Sequence, residues 1–154
     1  MDADVSGYAH RQESVLCLLF YGTALALLAG ASFNRDKVSV ALILGGGGAL
    51  TVLLGMAFHH LTVEDRGEFL AIRFGPLPLF RRTARYADMV KATVGRTLLL
   101  DGWGIHFSFR GGWVWNIWGR DCVVVHLKKG TLRIGTNDAE NLARFLAGKI
   151  GAAN

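Results

Sequence analysis

The chain has 154 residues, a net charge of +5 at pH 7 and a composition that is 51% hydrophobic and 19% charged. Its two cysteines, Cys17 and Cys122, fall in an apolar stretch and in a predicted strand, which excludes a disulfide between them and a metal site made by them alone. The sequence has no nucleophile elbow, phosphate loop or paired-histidine metal helix. His106, His126 and Asp121 could meet in a barrel and imitate a catalytic group. We expect a protein that is not an enzyme, with no catalytic residue, cofactor or metal.

Two apolar stretches without a charged residue, residues 14–33 and 38–58, are separated by only four residues. Each is about 20 residues long, which at ~1.5 Å per helical residue matches the ~30 Å hydrocarbon core of a bilayer. Helices satisfy their own backbone hydrogen bonds in lipid, so both stretches should be helical throughout. The chain therefore divides into a polar N-terminal tail (1–13), a transmembrane hairpin (14–58) and a domain (60–154).

Two other interpretations of the apolar stretches are open. A soluble protein would bury both helices in its core, but a globular domain of this length rarely contains two successive spans without a charge. A secretory signal peptide begins with a positive segment, whereas Arg11 is accompanied here by Asp2, Asp4 and Glu13. Membrane insertion explains the pattern best.

The distribution of cations predicts the orientation of the hairpin. All but three of the 17 Lys and Arg residues follow residue 60, and only Arg35 and Lys37 lie between the two spans. The positive-inside tendency then places both termini in the cytoplasm. The same cations suit an anionic leaflet, with Arg81, Arg82 and Arg85 as the expected lipid contacts, although ordinary solubility would also account for them.

Small residues recur along both predicted helices at four-residue spacing, which lets helix backbones approach closely in lipid. The tetraglycine run, residues 45–48, indicates a place where a helix or a flat ligand lies against the backbone, or else a flexible point, since each Gly costs up to ~1 kcal/mol in an exposed helix. Neither span contains an ionisable residue, so transport through the hairpin alone is not expected. We predict helix packing at Gly22, Ala26 and Gly30 in the first span, and at Ala41, Gly45, Ala49, Gly47, Thr51 and Gly55 in the second.

Beyond His60 the pattern changes to short apolar or alternating runs between turn sequences. The turns recur about every 8 to 12 residues, which is typical of an antiparallel β-sandwich or barrel. A closing helix over residues 137–150 has Asn137 as its expected cap and Glu140 three positions later. Its apolar face should pack on the sheet through Leu142, Phe145, Leu146 and Ile150. The predicted strands are residues 61–63, 69–74, 81–86, 89–94, 105–109, 113–118, 122–127 and 131–134.

All four tryptophans, Trp103, Trp113, Trp115 and Trp118, lie within 16 residues. On a strand, Trp113 and Trp115 face one side and Trp118 the other, because side chains alternate. One set can fill the core of the domain. The other would contact lipid headgroups or a partner protein, unless another element of the domain covers it.

This order of strands followed by one amphipathic helix resembles the pleckstrin-homology-like fold, and the whole layout resembles bacterial membrane proteins in which a helical hairpin precedes such a domain. Residues 61–74 match the opening hairpin, residues 122–135 the last hairpin and residues 137–150 the closing helix. The resemblance implies a membrane-anchored α+β fold, an inner-membrane location and an adaptor role. The resemblance does not imply phosphoinositide binding, because the first turn contains Glu64, Asp65 and Glu68 with Arg66 as its only cation. Phe145 also stands where that family typically has tryptophan.

Two functions from different classes follow from these features. The first is a non-enzymatic integral membrane subunit that stabilises or assembles a larger membrane complex. The second is a membrane-anchored sensor or adaptor that binds anionic lipid or a small ligand. The small-residue rows favour the first, since a lone sensor needs only an anchor. We expect other integral membrane proteins and anionic lipids as partners, and no nucleic acid.

Overall fold

A computed structural model describes residues 7–77, 79–98 and 102–153 as an α+β fold. Two long apolar helices, α1 (Leu16–Phe33) and α2 (Val38–Ala57), lie near the N-terminus, and a third helix, α3 (Ala139–Ala153), is the last element of the described chain. All eight predicted strands are present in the region between them, and a ninth precedes α1. The strands are β1 (Ala9–Glu13), β2 (His60–Asp65), β3 (Phe69–Phe74), β4 (Arg81–Arg85), β5 (Met89–Arg96), β6 (Gly104–Phe107), β7 (Trp113–Asn116), β8 (Asp121–Leu127) and β9 (Thr131–Gly135).

Helices α1 and α2 pack against each other and are long and apolar enough to cross a membrane. Only 11% and 17% of the residues in their apolar windows are buried inside the protein. The core helix of a soluble protein is mostly buried, so these two helices are not core elements of the domain. Their apolar outer surface remains without a cover from the rest of the described chain.

The contact between α1 and α2 follows a seven-residue spacing of small residues. Ala24 and Gly48 are both buried, and a Cβ built on Gly48 would lie 2.8 Å from Leu28 Cγ and 3.4 Å from the Ala24 carbonyl oxygen. Gly55, seven residues further, packs against Tyr21. The tetraglycine run thus lies against a helix of the same chain, and the larger side chains of α1 fill the space beside it.

The strands form two sheets. The first has the order β1-β2-β3-β4 and is antiparallel, and the second has the order β5-β8-β9-β7-β6. In the second sheet β9 lies between β8 and β7 and runs parallel to β7. The second sheet is therefore mixed, whereas the sequence predicted antiparallel strands, because the returning β9 of the last hairpin enters between two strands that are consecutive in the chain.

Strand β1 lies within residues 1–13, where the sequence predicts a polar tail. It pairs with β2 from Ala9 opposite Glu64 to Glu13 opposite His60. Just before it, the Tyr8 hydroxyl donates to the Asp138 carboxylate at 3.1 Å. Because β1 precedes α1 and β2 follows α2, both ends of the helical hairpin enter one sheet.

Helix α3 packs on the sheets as predicted. Leu142, Leu146 and Ile150 are buried in the core and Phe145 packs at its edge. The helix begins at Ala139, and the Leu142 amide donates to the Asp138 carbonyl at 3.1 Å. The residue directly before the helix is therefore Asp138, one position after the expected cap at Asn137. The core between the sheets includes Leu61, Leu70, Ile72, Phe74, Val123, Val125, Leu132 and Ile134.

The helix packing can be tested by cross-linking. A Cβ built on Gly45 lies 3.9 Å from the Cβ of Ala31, within the ~3.5–4.5 Å range that disulfides require. The double variant Ala31→Cys, Gly45→Cys, with Cys17 and Cys122 replaced by alanine, should therefore oxidise rapidly to an intramolecular disulfide in detergent. Gly46 has no neighbour within 4 Å of a built Cβ, so Ala31→Cys, Gly46→Cys is the control. Equal oxidation rates, read from non-reducing gels, would contradict this packing.

Candidate functional site

The junction between the helices and the domain is tied by backbone contacts. The Ser14 amide donates to the His59 carbonyl at 3.1 Å, and the Gly75 amide donates to the His60 carbonyl at 2.6 Å. Gly75 has a φ of +59°, and a Cβ there would overlap the carbonyl groups of Met56 and Ala57. The loop after β3 therefore lies directly on the end of α2, at a position that only glycine fits.

A chain of aromatic rings continues this junction into the core. The ring centroid of Phe58 lies 6.1 Å from that of Phe20 in α1, 5.4 Å from Phe74 and 5.7 Å from Phe80. Phe74 in turn lies 5.6 Å from Trp115. Large rings in contact leave little room for sliding. The hairpin and the domain are thus packed together and not joined by a flexible linker.

His59 and His60 lie at this junction, with their Nδ1 atoms 3.4 Å apart. Burial lowers the pKa of His60, and the nearby charges of Arg11 and His59 act in the same direction. His60 is therefore neutral at pH 7, which suits its buried place at the start of β2.

The predicted helix-packing residues divide into two groups. Gly30, Gly45, Gly47 and Gly55 face the other helix of the hairpin, since a Cβ built on each would meet a side chain of α1 or α2. Gly22, Ala26 and Ala49 are exposed, and Ala41 and Thr51 are half-buried. Gly48 was predicted only as part of the tetraglycine run, and Ala24 was not predicted. The seven-residue spacing of Ala41, Gly48 and Gly55 is the signal in the sequence that would have singled out Gly48.

The four tryptophans have three different environments. Trp115 is 6% exposed and belongs to the core, so it is not available to a partner. Trp103 and Trp118 stack on each other with centroids 4.5 Å apart and are partly exposed. They line a cleft of about 360 Å³ together with Thr97, Leu98, Gly102, Gly119 and Arg120. Trp113 lies at the tip of the hairpin formed by β6 and β7.

That hairpin tip carries an exposed aromatic cluster, which we call the aromatic hairpin: Phe107, Phe109 and Trp113. Phe109 is 89% exposed, and the rings of Phe107 and Trp113 meet edge to face at 6.1 Å. Phe107 and Phe109 were not predicted as contact residues, although the two glycines that follow Arg110 mark a tight turn between aromatic strands.

The aromatic hairpin is held in a fixed shape. The Ser108 amide donates to the Gly112 carbonyl at 2.9 Å, and the buried Arg133 donates to the Gly111 carbonyl. Gly112 has a φ of +89°, and a Cβ there would overlap Thr131. Exposed rings on a rigid turn lose little conformational entropy on binding, which is the property of an interaction surface.

The three predicted lipid-contact arginines do not form one patch. They lie along β4, the edge strand of the first sheet. Arg81 and Arg85 are exposed, whereas Arg82 is half-buried and its pKa is lowered by burial. Arg81 lies at the end near α2, and Arg85 at the opposite end, about 13 Å away at ~3.3 Å per residue.

A partly buried ion pair holds α3 to the far end of the first sheet. Lys149 Nζ lies 2.8 Å from Asp65 Oδ2, and the Tyr86 hydroxyl donates to Asp65 Oδ1 at 2.8 Å. Burial alone would raise the pKa of Asp65, but hydrogen bonds from Lys149, Tyr86 and the Gly67 amide outweigh it and hold the pKa below its ordinary value. The Asp65 carboxylate thus connects the first sheet to α3 through this ion pair.

The structure does not bring the candidate catalytic side chains together. His106 lies on β6 and His126 on β8, and strands β9 and β7 separate these two in the sheet. Within the described ranges, no group of three or more His, Cys, Asp or Glu side chains could hold a metal ion.

Comparison with known proteins gives no family. No protein-family model matches the chain, and no curated protein matches its sequence significantly.

Acid should weaken the ion pair between Asp65 and Lys149. Because the folded-state pKa of Asp65 lies below the unfolded value of ~3.9, its contribution is complete above pH ~4 and is lost as the pH falls through the folded-state pKa. Asp65→Asn should lower the free energy of unfolding at pH 7 by about 2 kcal/mol and flatten its decline in acid. The control Asp121→Asn removes an exposed pair with Arg96 and should change little. Urea unfolding in micelles from pH 7 to acid measures both, and parallel acid declines for wild type and Asp65→Asn would contradict the assignment.

Proposed function

We propose that this chain is a non-enzymatic, two-span subunit of a bacterial inner membrane that assembles or stabilises a larger complex. In this proposal the helical hairpin packs among neighbouring transmembrane helices, and the cytoplasmic domain binds a further surface of the same assembly. The observation that carries the proposal is the junction of Phe58 and Gly75, because it couples the two binding elements rigidly.

The outer surface of the hairpin supports membrane insertion and helix packing. Leu18, Leu25, Leu42 and Ile43 are exposed, and no described part of the chain covers them. Lipid is an adequate solvent for these side chains, and the outward Gly22 and Ala26 leave room for the backbone of another helix. An anchor alone would not need small residues on its outer face.

The aromatic hairpin supports a second contact in the domain. Aromatic residues dominate the binding energy of many protein interfaces, particularly where the rings lose all their water. Phe107, Phe109 and Trp113 stand exposed on a turn that Arg133 holds rigid. A partner that covers these three rings would gain most of its affinity there.

For the domain itself we propose a pleckstrin-homology-like ancestry. The opening β2–β3 hairpin, the last β8–β9 hairpin and the closing helix α3 support it. The added strand β1 and the parallel β7–β9 pair depart from a simple antiparallel arrangement. A lipid or small-ligand sensor is the second candidate, supported by the cleft beside Trp103 and Trp118.

The proposed orientation, with both termini in the cytoplasm, can be tested by thiol labelling in intact cells. With Cys17 and Cys122 replaced by alanine, Asp36→Cys in the link between the helices should react with a membrane-impermeant reagent added outside. Lys129→Cys, in the exposed turn between β8 and β9, should react only after permeabilisation. Labelling of Lys129→Cys alone in intact cells would show that the orientation is the opposite one. If neither cysteine were labelled before or after permeabilisation, neither position would be accessible to the reagent.

The assembly function can be tested by gentle detergent extraction and co-purification. Phe109→Ser together with Trp113→Ala should remove about 2 kcal/mol or more from the complex and release the partner on washing. Membrane insertion should be unaffected, since both residues lie in the domain.

Val94→Ser is the matched control, because Val94 is also an exposed apolar residue on a strand of the second sheet. If both variants retain the partner at wild-type stoichiometry, the aromatic hairpin is not the docking surface. If the wild-type chain extracts as a monomer without a fixed partner, the assembly proposal itself fails.

A further inference from the structure

We propose that the domain touches the membrane at a second place, through a basal anchor that consists of Leu79, Phe80, Arg81 and Arg82 and binds the anionic headgroup and acyl boundary of the bilayer. The inference rests on the proposed function, since it requires the hairpin to be inserted. It adds to that function an attachment that is not part of either helix.

The basal anchor lies at the level where α2 ends. The ring of Phe80 is 5.7 Å from that of Phe58, the first residue after α2. The Phe74 amide donates to the Phe80 carbonyl at 3.0 Å, and Gly75 lies on the carbonyl groups of Met56 and Ala57. A bilayer that surrounds α2 to its end therefore meets the basal anchor at its surface.

The apolar half of the basal anchor is exposed although the core is close by. Leu79 is 64% exposed and Phe80 is 37% exposed. Exposed Leu and Phe side chains at this depth gain from contact with acyl chains at about 25 cal/mol per Å² of covered surface. Leu53, near the end of α2, is exposed as well.

The charged half of the basal anchor has no counter-ion among the described residues. Within the described ranges no carboxylate lies within 4.0 Å of Arg81 or Arg82, whereas the neighbouring Arg73 binds Glu64 at 2.9 Å and Arg66 binds the same carboxylate. Unpaired cations directly after exposed apolar residues are the pattern of segments that lie in an anionic interface. The charges and the exposed apolar side chains of the basal anchor therefore both favour binding to a bilayer over binding to a protein surface.

The position of the basal anchor in the sheet gives it a mechanical role. The helices join the first sheet at β1 and β2, while the basal anchor includes the first two residues of β4, at the other edge, and the two residues before them. Two strand spacings of ~4.8 Å separate it from β2, so the domain is supported at points about 10 Å apart. Contact at both points fixes the tilt of the domain and hence the direction in which the aromatic hairpin points.

Depth-dependent quenching on the full chain tests this inference. A fluorophore on Leu79→Cys would be measured in vesicles of phosphatidylcholine with about 30% phosphatidylserine, with and without brominated acyl chains. Cys17 and Cys122 are buried, so the introduced cysteine is the accessible one. Lys129→Cys is the domain control, because the neighbouring Lys128 amide donates to Asp88, beyond the distal end of β4. Quenching should be at least about threefold greater at Leu79 than at Lys129.

The charged half is tested in the same vesicles. Each cation near an anionic leaflet is worth about a fivefold change in binding, so Arg81→Ser with Arg82→Ser should reduce quenching of the Leu79 probe toward the Lys129 level. Arg85→Ser, at the other end of β4, should leave it unchanged. Equal effects of Arg85→Ser and of the double variant would overturn the assignment to the basal anchor.

A third probe separates this inference from the proposed function. Leu42→Cys lies in the outer face of α2 and must be strongly quenched if the hairpin is inserted. An unquenched Leu42 probe would overturn the membrane proposal as a whole. A quenched Leu42 probe with an unquenched Leu79 probe would overturn the basal anchor alone.

Discussion

The pairing of β1 with β2 is the constraint on which the rest of the structure depends. The two strands are far apart in the chain, yet Glu13 and His60 stand opposite each other because α1 and α2 together replace the tight turn of a β-hairpin. Paired residues in an antiparallel ladder are ~4.5–5.5 Å apart, so the ladder sets the distance between the two helix ends. The close contact at Gly48 then follows, since helices held this near to each other need small residues between them.

Helix α3 is fastened to the first sheet at both ends by polar contacts. Tyr8 reaches Asp138 at its start, and Lys149 reaches Asp65 near its end. Apolar contacts of Leu142 and Leu146 provide most of the burial, but they tolerate a shift along the helix axis better than a charged hydrogen bond does. These two polar contacts therefore set the register of α3 against the first sheet.

The sequence was sufficient for the helices and for eight strands, because their hydrophobic periods and turn residues are local signals. The sequence did not predict strand β1 because Ala9–Glu13 has no apolar alternation, and only pairing with the distant β2 makes it a strand. The parallel pairing of β7 with β9 was not predicted because hydrophobic periodicity does not encode strand order. At the helix contact, the four-residue spacing predicted the outward Gly22 together with the inward Gly30, and it did not single out the inward Gly48. The exposure of Phe109 and the burial of Trp115 required tertiary packing to be known.

The rigid junction matters for binding because the chain presents two separate apolar surfaces. In the proposed function the outer face of the hairpin packs within a membrane and the aromatic hairpin binds its partner in the aqueous phase, so neither surface can substitute for the other. With Phe58 and Phe74 in contact, a partner that engages one surface meets the second already aligned. The second contact is then intramolecular, and such linkage can raise overall affinity about 10²–10⁴-fold over either contact alone. For the proposed assembly role, modest interfaces on each side would thus be enough.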